Sequence, residues 1–182
     1  MHAGRTEVPA DLDLVRDFVN TLDAEARSDA FATSAGVVEW GAGRGLLRVD
    51  EDVEEADRIR ITELREALRA LLLVNAGATL GDEIVAALNR SSRRSGIVLR
   101  FDGAGEARLD APGDGAQALL GGVLAAVYRA QAQGLWPRLK VCAEDTCRWA
   151  FYDSSKNRSR TWCSMASCGN RAKSRSYRRR RA

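Results

Sequence analysis

The chain has 182 residues, 45% of them hydrophobic, with 28 Lys/Arg, 25 Asp/Glu and one histidine, His2. That apolar share can bury a sizeable core, yet no stretch is long and apolar enough to cross a bilayer, since residues 67–78 are interrupted by Arg69 and Asn75. The lone histidine leaves no His-based triad or acid–base pair, and no phosphate-binding glycine loop is present, so the chain is not expected to be an enzyme.

Leu12, Val15, Phe18, Val19 and Leu22 recur at helical spacing, so residues 11–26 read as an amphipathic helix. Asn20, Thr21 and Asp23 are poor helix formers near its end and read as terminating residues. Asn20 has a second reading, as a ligand-binding residue lining a pocket of a sensory body. Thr33 or Ser34 caps a short helix through Val37, Val38 and Trp40, which the glycines of 41–45 end. Trp40 reads as core. Residues 52–76 form a long helix with Ile59, Leu64, Leu68, Leu71 and Leu72 on one side and Glu and Arg opposite. A further short helix spans 82–90. Residues 97–101 then switch to strand composition, 102–105 signal a turn, and 106–110 supply a partner strand. Residues 115–133 return to helix, Gly134 caps it, and Pro137 closes a linker.

Beyond Pro137 the chemistry changes. Residues 138–182 carry 13 Lys/Arg against three acids, Glu144, Asp145 and Asp153, a net charge of +10. With +3 for the whole chain, −7 remains for residues 1–137. An acidic body on a basic end implies two jobs, and allows the two parts to attract each other when no polyanion is present. The division falls at 1–137, an α-rich body, and 138–182, a small basic module.

All four cysteines lie in that module, as Cys142-x4-Cys147-x15-Cys163-x4-Cys168. Two close pairs suit the tetrahedral thiolate set that zinc prefers. The same residues could form two disulfides in a secreted protein. Residues 1–13 are polar and acidic, unlike a signal peptide, so the expected compartment is the cytoplasm, where thiols stay reduced and take metal. About 45 residues with few aliphatics need such a metal to fold. Cys142, Cys147, Cys163 and Cys168 are therefore read as ligands of one structural zinc, a filled site with no open position for metal catalysis.

Residues 139–142 and 148–152 are strand-like and flank the first cysteine pair, 154–161 is a polar basic loop, and a helix runs from 164 to about 179. Hairpin plus helix around one zinc gives a small treble-clef-like module. The fold class is α+β, a mainly helical body with a small β-hairpin plus this module. Trp149, Phe151, Trp162 and Met165 make its small core, although Trp149, Tyr152 and Trp162 also have the chemistry to stack on bases. Gly169 and Asn170 read as local geometry.

On the helix, Arg171, Arg175 and Arg178 share one face, with Lys173 and Arg179 to the side, and Lys156, Arg158 and Arg160 add charge from the loop. These eight residues are the candidate nucleic-acid contacts, a phosphate-tracking surface. The alternative is a solvated basic tail, the reading that best fits the run of arginines at 178–181. Arg171 has two equal readings, pairing within the module or facing a phosphate.

Cys142-x4-Cys147-Arg148-Trp149-x-Phe151-Tyr152-Asp153, with Asn157-Arg158-Ser159-x-x-Trp162-Cys163-Ser164-x3-Cys168-Gly169-Asn170-Arg171, resembles the CGNR zinc-finger family of bacterial proteins. The body is similar to that family's N-terminal ABATE domain, through Phe18-Val19-Asn20-Thr21, residues 64–70 and Trp136-Pro137-Arg138. The resemblance covers nearly the whole chain. It implies a bacterial stress-related transcription regulator with a zinc-dependent DNA-binding end, the four cysteines being the metal ligands. The expected partner is DNA, with no membrane association, and the body is expected to sense a small-molecule effector or to form a homodimer. The rival readings are a zinc module for protein or RNA contacts, and a small-molecule enzyme in residues 1–137.

Overall fold

The computed structural model describes residues 7–181, so His2 and the start and end of the chain lie outside it. In order come α1 (Ala10–Val19), β1 (Leu22–Asp23), β2 (Ser28–Asp29), α2 (Ser34–Gly43), α3 (Glu55–Val74), α4 (Asp82–Arg94), β3 (Val98–Phe101), β4 (Ala107–Asp110) and α5 (Gly115–Ala132). A 3-10 turn at Trp136–Arg138 leads into β5 (Leu139–Val141), β6 (Ala150–Tyr152), a π turn at Met165–Gly169 and α6 (Asn170–Arg179). The strands form three antiparallel two-stranded ladders, β1–β2, β3–β4 and β5–β6. The fold is α+β, and among the described residues no helix is long and apolar enough to cross a membrane.

Three helices hold the core. Leu12, Val15, Phe18 and Val19 of α1 meet Ile61, Leu64, Leu68 and Leu72 of α3 and Leu119, Val123 and Ala126 of α5. Thr33 caps α2 by accepting the Gly36 N–H at 3.2 Å, and Trp40 packs on Phe18 and Phe31 with ring centroids 5.5 and 5.6 Å away. Gly134 ends α5 at φ +67, the left-handed conformation that lets the Leu135 N–H reach back to the Ala130 carbonyl at 2.9 Å.

Three local readings need correction. The first helix stops at Val19, because Thr21 bonds its own turn (Oγ1 to Phe18 O, 2.8 Å) and the chain then forms the β1–β2 hairpin. On α3, Ile59 is 46% exposed whereas Arg65 and Arg69 are 3% exposed, so these two arginines point inward. Both guanidinium groups find acceptors there. Arg65 makes a bidentate pair with Asp29 (2.6 and 2.9 Å) and lies over the Phe31 ring. Finally, α4 continues to Arg94 rather than ending at residue 90.

The module's first hairpin does not stand apart from the body. Leu139, Val141 and Ala150 are buried in the same cluster as α1, α3 and α5. Asn75 at the end of α3 donates to the Trp136 and Leu139 carbonyls at 2.9 and 2.8 Å. Asn20, after α1, pairs with the Ala150 backbone in both directions. Its Nδ2 donates to Ala150 O at 2.9 Å, and its Oδ1 accepts from Ala150 N at 2.8 Å. The Asn20 carboxamide, read as a helix terminator or as a pocket residue, thus serves as one rung of a ladder along β6, and Asn20 also lines a hollow with Asp17, Trp149 and Tyr152.

Candidate metal centre

The centre is assembled from two backbone turns. In the first, Cys142 follows β5 and its N–H bonds the Trp149 carbonyl at 2.9 Å, continuing the ladder to the hairpin's tip. There the Cys147 and Arg148 N–H groups both bond the Glu144 carbonyl, at 2.9 and 3.1 Å, and Arg148 turns the chain with φ +52. In the second, Ser164 caps the π turn by accepting from Ser167 N at 3.3 Å, and its carbonyl takes the Gly169 N–H at 3.1 Å. This π turn brings Cys168 back beside Cys163. The wider turn accommodates the x4 spacing.

The four sulfurs all lie within 4.8 Å of one another. Cys163 Sγ is 3.7 Å from Cys147 Sγ and 3.7 Å from Cys168 Sγ. Four sulfurs about 2.3 Å from a central zinc would be about 3.8 Å apart in a tetrahedron, so the cluster has the size of a filled zinc site. None is joined in a disulfide, and Cys142, Cys147 and Cys168 are buried. Phe151, Trp149 and Trp162 shield them. Met165, expected in this small core, is 49% exposed instead, on the outside of the π turn. Burial pushes the Cys147 thiol up to about 11, and Cys163 also upward. Burial raises Cys168 too, but the Arg171 hydrogen bond and the other thiols bring it below the ordinary thiol value. Arg171 Nη2 sits 3.0 Å from Cys168 Sγ, a cation placed against a zinc-bound thiolate. The chain holds one structural zinc on this set.

A buried ion pair shapes the basic loop. Lys140 Nζ donates to Asp153 Oδ2 at 2.9 Å, to the Arg158 carbonyl, and to the Arg160 carbonyl at 3.3 Å. Asp153 also accepts from Ser155 N (2.9 Å), Ser155 Oγ (2.6 Å) and Arg160 N (2.9 Å). Burial raises its carboxyl, but the Ser155 and Lys140 bonds outweigh that and hold it at about 2. Asp153→Asn is expected to cost about 3 kcal/mol at pH 7, because Lys140 is left buried without a counter-charge. The carboxyl is depressed in the fold, so its contribution is complete above about pH 4 and disappears as pH falls toward 2. Thermal melts of the two proteins at pH 7 check the cost; a difference under about 0.5 kcal/mol would contradict it.

The candidate nucleic-acid residues fall into two sets. Three make internal contacts. Arg160 donates to the Cys163 carbonyl at 2.7 Å and lies over the Phe151 ring, Arg171 pairs with Glu25, and Arg175 pairs with the buried Glu144 at 2.6 Å. Lys156, Arg158, Lys173, Arg178 and Arg179 are exposed and make no ion pair among the described residues. Arg171, Arg175 and Arg178 do share one helix face and line one hollow. Asn170 bonds the Ala166 carbonyl at 3.0 Å, so it serves local geometry. Lys140, Asp153, Glu144 and Glu25 were not expected at the site.

A family model described as the CGNR zinc finger matches residues 138–181. A second, ABATE, described as "Putative stress-induced transcription regulator", matches residues 12–137. No curated protein matches the chain.

Proposed function

Because the chain belongs to the ABATE family and ends in a CGNR zinc finger, we propose that it is a transcription regulator that binds DNA through that finger. One observation carries the reading. The zinc centre anchors the start of α6, a helix with no buried residues, whose basic face carries Arg171, Arg175 and Arg178 along one hollow. Phosphates are the natural partners of such a face, and the loop bearing Lys156 and Arg158 adds to it. The reading gives the chain a binding role rather than a catalytic one. It also places the chain in the reducing cytoplasm, where thiols remain free for zinc.

The body's part in this reading is to sense an effector or to dimerise. A cavity of about 760 Å³ between α2 and residues 49–53 supports the first, with Val38, Ala42 and Val53 on its walls and Glu39, Glu51 and Asp52 at hand. Leu99 and Phe101 of β3, 59% and 63% exposed, support the second.

Duplex affinity of the zinc-loaded chain is expected to fall steeply with salt, by roughly 0.9 log units per log unit for each phosphate contacted. Lys173→Gln and Arg178→Gln should each reduce that slope by about 1. Affinity indifferent to salt would move the finger to protein contacts. Preference for single strands in competition would move it to RNA.

A further inference from the structure

The turn between β1 and β2 carries Glu25 out to the finger. Asp23 fixes that turn by accepting from the Glu25 and Ala26 N–H groups, both at 2.9 Å, and Arg27 closes it in the left-handed region at φ +54. Glu25 then meets Arg171 with two parallel bonds, Nη1 to Oε1 at 2.8 Å and Nη2 to Oε2 at 2.9 Å. This fork is the arrangement a guanidinium also makes with two oxygens of a phosphate. Around it lies a hollow of about 540 Å³ lined by Glu25, Asn170, Arg171, Ser174, Arg175 and Arg178.

We infer that this hollow is a phosphodiester site that Glu25 of the body keeps closed. The inference rests on the DNA reading above and adds to it the site of one phosphate and the group that phosphate must displace.

The three arginines have different standing. Arg175 is held by Glu144, which is 1% exposed and fixed in the zinc turn, so this pair is part of the module's framework. Arg178 makes no ion pair among the described residues and is free to meet a phosphate. Arg171 lies between these cases. Its partner belongs to the body, and the pair is half in solvent, with side chains 37% and 53% exposed. Exposed pairs of this kind are weak, about 0.2–1 kcal/mol, so a phosphate can compete for the guanidinium. The closed pairing is also incomplete, because Arg171 Nε is sealed from solvent without an acceptor. Glu25 therefore occupies the anion position as an intramolecular stand-in. When it leaves, a fork already oriented by Cys168 remains, beside the free charge of Arg178.

The test uses the full zinc-loaded chain and a short random-sequence duplex, followed by fluorescence anisotropy. Glu25→Gln removes the competing charge, while Glu106→Gln, at the far β3–β4 turn, makes the same change in net charge away from the hollow. Glu25→Gln is expected to tighten binding about three- to fivefold, with Glu106→Gln unchanged. Zinc content equal to that of the wild type confirms that the finger is intact in each. Binding by the wild type with no gain in Glu25→Gln, or an equal gain in both variants, would overturn the closed site and leave the DNA reading standing. Failure of every form to bind duplex would overturn the DNA reading and the phosphodiester site together.

Discussion

Stripping zinc with a strong chelator, or substituting Cys163→Ser, is expected to melt residues 163–181 while α1, α3 and α5 stay folded. The reason lies in how differently the two halves of the finger are held. Leu139, Val141 and Ala150 of the β5–β6 hairpin are buried in the body's core, and Asn20 and Asn75 bond its backbone. The α6 helix buries none of its residues. Its ties are the π turn that carries Cys168 and the pairs of Arg171 with Glu25 and Arg175 with Glu144. The Arg171 pair is exposed and weak, whereas zinc in a four-thiolate site contributes on the order of 10 kcal/mol and outweighs both pairs. Hydrogen exchange should show lost protection over 163–181 and unchanged protection in the three core helices. Uniform unfolding of the chain, or unchanged protection of α6, would contradict this division.

Arg69→Ala is expected to destabilise the chain by about 3 kcal/mol although no charge partner is lost from the interior. Arg69 is 3% exposed, and its only ion-pair partner among the described residues, Glu66, is half in solvent. Its other bonds go to backbone: Val19 O at 2.6 Å, Leu22 O at 3.4 Å and Arg148 O at 2.8 Å. Val19 ends α1, so its carbonyl is one of those a helix leaves unpaired. Arg148 is the residue with positive φ beside Cys147, in the first zinc turn. One side chain of α3 thus satisfies a body helix end and a finger turn together, and alanine strands both carbonyls. Zinc affinity should fall as well, about tenfold, because the turn that aims Cys147 loses its support. Urea denaturation in zinc-saturating buffer reads the first effect and chelator competition the second. Glu63→Gln, on the exposed side of α3, should stay within about 0.5 kcal/mol. An equally small effect of Arg69→Ala would show that the body and finger are joined without its help, through apolar packing and the Asn20 and Asn75 bonds.

Arg69 also marks where sequence reading gives out. The cysteine cluster was legible because metal ligation is nearly local. Two short turns bring each pair together, and the spacing records the turn. The helices were legible through apolar period, and β3–β4 through its glycine turn. Periodicity, however, assigns a charged residue to solvent, so Arg65 and Arg69 were placed opposite the core. What buries them is a set of acceptors scattered through the chain, Asp29, Val19 and Arg148, with no pattern linking them to α3. The Lys140–Asp153 pair was hidden for the same reason, since it depends on the register of β5 with β6. Asn20 gave no sign of its long-range contact because its partner, the Ala150 backbone, has no side-chain signature. Nor could charge counting show that Arg171 and Arg175 carry internal carboxylate partners.

The most direct test is a selection of random-sequence duplexes by the zinc-loaded full-length chain at moderate salt, run beside Cys163→Ser. The account predicts stronger, salt-sensitive retention of duplex by the zinc-loaded protein than by the variant, whose α6 is no longer held at the metal. Equal retention of duplex by both proteins would contradict it and reduce the C-terminal arginines to bulk charge.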